Sequence, residues 1–181
     1  MLNRGVLFAL ALASIFLPSS VAADRTAATA ARYFSNPAKV GQGLFSHLFW
    51  DVYTATLIAP NAKWHPDMPF ALSVKYLLDI DGADIAERTI SEIRDQGYAD
   101  EPNLSVWQEK LLNILPNVTD GTRLTAVRDK TGHTIFYHDG NWIGEIDDRA
   151  FTRRFFDIWL GEKTPRPALR RALLGGAVSY T

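Results

Sequence analysis

The segment GLFSHLFWDVYTATLIAP, residues 43–60, constrains the fold most strongly, because it has the composition of β-strands without a polar face. A strand with one solvated face alternates apolar and polar residues. Here both alternating faces are largely apolar, interrupted mainly by the charge of Asp51 and the imidazole of His47. The segment predicts two long strands from Val40 to about Ala59 that bend near Asp51. It leaves open whether protein or a ligand covers the second face.

The first 23 residues have the layout of a secretory signal peptide. A basic start at Arg4 precedes an apolar run from Val6 to Leu17, and small residues close the stretch at Ala22 and Ala23. An N-terminal membrane anchor is the weaker interpretation, because the run is shorter than the ~20 apolar residues that span a bilayer. We therefore predict cleavage near Ala22 or Ala23, a periplasmic or secreted mature protein, and no transmembrane segment.

The mature chain is predicted to hold one domain. Residues 24–38 are small and polar with little amphipathic pattern, which indicates a flexible lead-in with room for a short helical turn. No repeat or break in composition divides residues 39–181, so they form the domain itself. The glycines of VGQG, residues 40–43, precede a strand and not a helix, which is unlike a phosphate-binding loop. They indicate a strand-entry turn or a close approach of two backbones.

Charge and composition exclude several classes of function. The chain has 19 basic and 20 acidic residues, whereas a nucleic-acid-binding domain is normally strongly basic. It has no cysteine, which excludes disulfides, thiol catalysis and thiolate metal sites. His133 and His138 bracket one predicted strand and project to opposite faces. The sequence therefore predicts no metal site, no cofactor and no nucleic-acid partner.

The rest of the chain alternates groups of strands with groups of helices. Residues 69–80 form a third predicted strand, and two amphipathic helices follow that end at Gly97 and Pro116. Three further strands then precede a helix capped by Asp147 or Asp148 and a short C-terminal helix. This order predicts an α+β fold in which helices cover one side of a mostly antiparallel sheet.

Between Val40 and about Gly175 the chain resembles the chalcone isomerase-like family, and it is most similar to the exported bacterial branch. The resemblance rests on the element order and on three stretches: VGQGLFSHLFWDVYTATLIAP, VKYLLDIDGADIAERTISEIRDQG and GEIDDRAFTRRFFDIWLGEKTPRPALRRALLG. It implies an open-faced β-sandwich, a large antiparallel sheet with helices packed on one side and a cleft between them.

The resemblance also implies where a site would lie. The plant enzymes of the family close a chalcone to a flavanone, and an arginine holds the reacting phenolate. Gln42 takes the place of that arginine, and Thr54 takes the place of a threonine on the next strand. Ile85 and Arg88 stand where the family helix carries a tyrosine and a lysine, and Thr152 matches a late hydroxyl residue. Because a neutral glutamine cannot replace a guanidinium against a phenolate, we do not expect chalcone cyclisation.

Other family members are not catalytic and resemble fatty-acid-binding proteins, in which an arginine and a tyrosine bind the ligand's carboxylate. We therefore predict an exported, non-catalytic, monomeric domain that binds a fatty-acid-like or other apolar small molecule. Phe45, Phe49 and Leu57 would line its apolar cleft. The candidate ligand-binding residues are Gln42, Thr54, Ile85, Arg88 and Thr152.

Three alternatives stay open at this point. An isomerase or lyase acting on an aromatic enone would use Arg88 as the electrophilic group and Thr54 to order water. An envelope interaction module would use exposed aromatic residues and the basic C-terminal helices to contact a partner protein or a membrane surface. Finally, side chains such as Trp107 and Phe151 would leave no cleft if they filled the space over the sheet completely.

Overall fold

The structure, a computed structural model, describes residues 20–176 of the 181-residue chain. The predicted α+β class is confirmed, and the predicted strands and helices appear in the predicted order. The elements are α1 (Ser20–Ala30), β1 (Pro37–His47), β2 (Trp50–Pro60), β3 (Phe70–Tyr76), α2 (Gly82–Asp95), α3 (Glu101–Ile114), β4 (Arg123–Arg128), β5 (Thr134–His138), β6 (Asn141–Ile146), α4 (Arg149–Leu160) and α5 (Pro167–Leu173).

The strands form one antiparallel sheet in which each strand pairs with its neighbours in sequence, in the order β1 to β6. The two long strands predicted from residues 43–60 are β1 and β2. Their register ends where His47 pairs with Trp50, so Leu48 and Phe49 form the connecting turn. The chain reverses there, close to the bend expected near Asp51.

The main core lies between one face of the sheet and helices α2 to α5. On β2 this face is formed by alternate residues, among them Tyr53, Ala55 and Leu57, all of which are buried. Trp107 of α3 and Phe151 of α4 are fully buried against it with their rings in edge-to-face contact. Such aromatic side chains remove the largest apolar areas from water and dominate the stability of a core.

Asp148 caps α4 and also connects that helix to α3. Its carboxylate accepts hydrogen bonds from the backbone N–H groups of Ala150 and Phe151 and, at 2.9 Å, from the indole Nε1 of Trp107. Burial raises the pKa of Asp148, but these hydrogen bonds outweigh burial and leave the pKa below its ordinary value. Of the two capping aspartates proposed from sequence, the structure thus selects Asp148.

The glycines of VGQG allow α5 to lie directly on β1. A Cβ on Gly41 would collide with the carbonyl oxygen of Ala172, and one on Gly43 would lie 2.6 Å from Cδ1 of Leu169. The close backbone approach expected from this motif is therefore confirmed. Gly41 and Gly43 pair with Leu57 and Ala55 of β2, so α5 covers the same face as the other helices.

Residues 25–34 cover part of the second face of the sheet. Ala30, at the end of α1, is fully buried with Ile58 of β2, and the ring of Phe34 packs beside them. The hydroxyl of Tyr33 is hydrogen-bonded to that of Tyr137. The predicted flexible lead-in is thus largely ordered as α1 and the turn after it, because its few apolar side chains find a complementary patch on the sheet. Protein covers this part of the second face.

The signal peptide predicted for residues 1–23 lies almost entirely outside the described residues. Only its end, from Ser20, is described, and the expected cleavage point near Ala22 or Ala23 falls in the first turn of α1. Among residues 20–176, no helix combines the length and apolar character needed to cross a bilayer.

Candidate ligand-binding site

A largely apolar cavity of about 390 Å³ lies between the helix-covered face of the sheet and helices α2 and α4. This volume falls in the range of about 300–1,000 Å³ that small-molecule sites occupy. The helices therefore leave a space above the sheet and do not fill it. The apolar lining side chains are Phe45, Val52, Tyr53, Leu72, Val74, Tyr76, Ile80, Ile85, Leu115, Leu124, Ala126, Phe136, Phe155, Ile158 and Trp159.

The floor of the cavity follows from the register of the sheet. Leu72 of β3 pairs with Ala126 of β4, which pairs with Phe136 of β5. Directly paired residues of antiparallel strands project to the same face, so these side chains form a continuous apolar row. Tyr53 and Tyr76 are paired in the same way and continue the floor towards the β1–β2 turn.

Three of the charged lining residues are joined in one cluster on the α2 side of the cavity. The guanidinium groups of Arg88 and Arg166 each donate from Nη2 to Oε1 of Glu92 at 2.6 Å. Glu92 is buried, Arg166 is mostly buried, and Arg88 is exposed. Two cations share one carboxylate, so the cluster carries one net positive charge.

Arg166 is further fixed by an aromatic ring. Its guanidinium carbon lies 4.4 Å from the centroid of Phe45, which itself contacts the ring of Tyr53 at 5.0 Å. A guanidinium stacked on a ring and bound to a carboxylate has little freedom left to lose when it binds a further anion. The cluster therefore presents a preorganised positive group at the edge of an apolar space.

Two phenol groups add neutral polar atoms to the cavity. The indole Nε1 of Trp159 donates to the hydroxyl of Tyr53 at 2.9 Å, which leaves the proton of that hydroxyl available to a ligand. Burial raises the pKa of Tyr53, and burial likewise raises the pKa of Tyr76. Both side chains are thus uncharged hydrogen-bond donors at neutral pH.

The structure brings together only part of the predicted site. Ile85 and Arg88, one turn of α2 apart, both line the cavity. Gln42 pairs with Thr56 and is exposed, and Thr54 pairs with Leu44. These pairs alternate with the cavity-facing pairs, so Gln42 and Thr54 lie on the opposite face of the sheet.

Thr152 lies outside the cavity as well. It is buried where α4 meets β5, and its hydroxyl is 2.7 Å from that of Thr134 and also donates to the backbone carbonyl of Asp148. Of the three residues expected to line the cleft, Phe45 does so. Phe49 is instead at the β1–β2 turn, and Leu57 is buried beneath α5.

Sequence reasoning missed Glu92, Arg166, Tyr53 and Trp159 as site residues. The spacing of Arg88 and Glu92, four residues apart on a helix, is a usable signal for an ion pair. Arg166 gives no such signal, because it follows Glu92 by 74 residues and meets it only through tertiary packing.

The sequence model of the chalcone isomerase-like family matches residues 39–175. The chain belongs to this family. No curated protein matches the sequence. Among solved structures, the crystal structure of a fatty-acid binding protein from Arabidopsis thaliana is similar, with a TM-score of 0.62 and 13% sequence identity over 78% of this chain and 88% of that chain. At this identity the likeness shows a shared fold, the chalcone isomerase-like sheet with helices on one side.

Proposed function

We propose that the protein is a non-catalytic binding protein for an apolar small molecule with an acidic head, such as a fatty acid. The observation that carries this proposal is the cavity of about 390 Å³, whose walls are largely apolar and include the Arg88–Glu92–Arg166 cluster. Sites for small molecules combine such walls with a few placed polar groups. The likeness to a fatty-acid binding protein supports the same class of ligand.

The charge of the cluster supports an anionic head group. A carboxylate placed against Arg166 meets one net positive charge and the donor hydroxyl of Tyr53. A charge-assisted hydrogen bond contributes about 1.5–3 kcal/mol, which corresponds to a factor of about 10 to 100 in affinity. The acyl chain then lies along the row that contains Leu72, Ala126 and Phe136.

The geometry gives the isomerase alternative no support in its expected form. That mechanism needs Arg88 and Thr54 around one substrate, but Thr54 lies on the other face of the sheet. Gln42, at the place of the family arginine, is exposed on that same face. A chalcone cyclisation assay is the direct check, and we expect no rate above the uncatalysed background.

The proposal includes export and a monomeric state. The layout of residues 1–23 supports a place in the exported bacterial branch of the family and a periplasmic or secreted protein. N-terminal sequencing of the protein from fractionated cells is the test. A mature chain that begins near residue 23 supports export, whereas an intact N-terminus in the cytoplasmic fraction contradicts it.

Native mass spectrometry of the mature protein, followed by organic extraction, is the first test of ligand binding. We expect a co-purifying lipid, and after its removal we expect saturable binding of long-chain fatty acids. A bare protein that binds no acyl chain in a titration series would contradict the proposal.

A substitution pair tests the role of the charged cluster. We expect Arg166→Gln to weaken fatty-acid binding about 10- to 100-fold and to leave binding of the matching fatty alcohol nearly unchanged. Arg171→Gln is the matched control, because Arg171 is an exposed arginine of α5 that does not line the cavity. Equal losses of fatty-acid affinity in both variants would show that the effect does not depend on the place of Arg166 at the cavity.

A further inference from the structure

Three consecutive apolar side chains are exposed at the turn between β1 and β2. Leu48, Phe49 and Trp50 are 81%, 98% and 66% exposed. A single exposed apolar residue on a protein surface is ordinary, but contiguous exposed apolar residues are typical of an interaction site. We call these residues the hairpin tip.

The structure holds the hairpin tip in place. The pairing of β1 with β2 continues up to His47 and Trp50, directly beside the turn. Just below it, the hydroxyl of Ser46 donates to the carboxylate of Asp51 at 2.6 Å. Leu48 has a φ of +54°, a left-handed conformation in which glycine or asparagine is usual. Large apolar residues thus occupy turn positions that normally favour small polar ones.

The hairpin tip adjoins the opening of the cavity. His47, which directly precedes the tip, lines the cavity, as do Val52, two residues after Trp50, and Phe45, two residues before His47. The exposed lining residues His47, Asp84 and Arg88 mark where the cavity meets solvent. The tip therefore lies directly beside residues of the cavity lining on both strands.

We propose that the hairpin tip inserts into the surface of a lipid bilayer and brings the cavity opening against it. An acyl ligand then passes between bilayer and cavity with little exposure to water. This choice of partner rests on the proposed function, because lipids reside in membranes and the tip adjoins the cavity lining. Trp50, the last residue of the tip, also suits the interfacial region of a bilayer, where tryptophan is enriched.

The charges around the tip define which bilayer it prefers. The carboxylates of Asp51 on the ribbon and Asp84 at the cavity opening lie in this region, and the guanidinium of Arg88 is already paired with Glu92. Negative groups are thus at least as many as positive ones there, so electrostatic attraction to lipid contributes little. Docking depends on apolar insertion, and neutral phosphatidylcholine is a sufficient target.

The test is co-sedimentation with phosphatidylcholine vesicles. We expect the parent protein to bind and the double variant Leu48→Ser/Phe49→Ser to bind at least ten-fold more weakly. The double variant Val106→Ser/Leu112→Ser is the matched control, since it removes two half-exposed apolar side chains from α3. We expect this control to bind like the parent, and added anionic lipid to change binding less than two-fold.

Three results would overturn the inference. They are a parent protein that does not sediment with vesicles, equal losses in the tip and α3 variants, and binding that requires anionic lipid. Equal thermal midpoints of all variants would establish that the tip variant is folded, as its exposed side chains lead us to expect.

A transfer assay separates this inference from the proposed function. When fatty acid is presented in aqueous solution, we expect the tip variant to bind it with the affinity of the parent. When fatty acid is presented in vesicles, we expect the tip variant to load at least ten-fold more slowly than the parent. Equal loading rates from vesicles would refute membrane docking and leave ligand binding intact. Vesicle binding without any fatty-acid binding would refute the proposed function and leave docking intact.

Discussion

Replacing Ala126 with leucine adds apolar atoms to the floor of the cavity and tests whether the cavity is there. Ala126 lies at the centre of the apolar row, paired with Leu72 and Phe136. Burying three more carbon atoms contributes up to about 2.4 kcal/mol at ~0.8 kcal/mol each. Ordering the leucine side chain costs about 0.5–1 kcal/mol. The expected net gain in the free energy of unfolding is therefore about 1.5–2 kcal/mol.

The assay is thermal unfolding of the ligand-free protein, followed by a fatty-acid titration. In a chain of this size, 1 kcal/mol corresponds to about 2–4 °C, so Ala126→Leu is expected to raise the midpoint by about 3–8 °C. The same leucine occupies space that the acyl chain needs. We therefore expect a more stable protein that binds fatty acid more weakly.

Ala55→Leu is the matched control. Ala55 is a fully buried alanine on the same face of the sheet, but it lies beneath α5 and away from the cavity. Leucine there overfills a packed core, and we expect destabilisation by about 1–3 kcal/mol. If Ala126→Leu were destabilised to the same extent, the space above β4 would be filled in the protein and the argument for a binding cavity would fail.

Two further predictions concern the parts of the fold that frame the site. Asp148→Ala removes a helix cap and leaves the buried indole of Trp107 without an acceptor, so we expect a loss of about 2–4 kcal/mol in urea unfolding. Because the pKa of Asp148 is lowered in the folded protein, its contribution is present above the unfolded pKa of about 4 and is lost as the pH falls through the folded pKa. Asp148→Asn is expected to weaken the fall in unfolding free energy at acid pH. An unchanged fall would show that other carboxylates cause it. Gly41→Ala forces the backbone of Ala172 away from β1, and we expect a loss of about 1–3 kcal/mol, whereas an unchanged midpoint would mean that α5 is loosely held.

The local features of the fold could be predicted from the sequence because their causes are local. Asp148 precedes an amphipathic helix, and VGQG marks a strand that another backbone approaches closely. The order of strands and helices gave the α+β class for the same reason. The coverage of the second face could not be predicted, because it depends on how Ala30 and Tyr33 meet residues far away in the sheet.

The candidate site was only partly predictable because strand register decides which side chains share a face. Ile85 and Arg88 both line the cavity, since helical spacing fixes their common direction. Gln42 and Thr54 were matched to the family by position in sequence, and the register turns them away from the cavity. Arg166 belongs to a loop whose position depends on the docking of α5, and no local pattern encodes that contact.

The packing of α5 on β1 has a consequence for the order in which the protein becomes functional. During synthesis Gly41 and Gly43 leave the ribosome well before the helix that covers them has been made. Until then Ala55 and Leu57 lack their cover, and the nascent chain exposes an apolar face of the sheet that favours aggregation. Arg166 is the N-cap of α5 and is made together with it. Completion of the fold and acquisition of the charged cluster thus occur together, and a chain shortened before α5 lacks both.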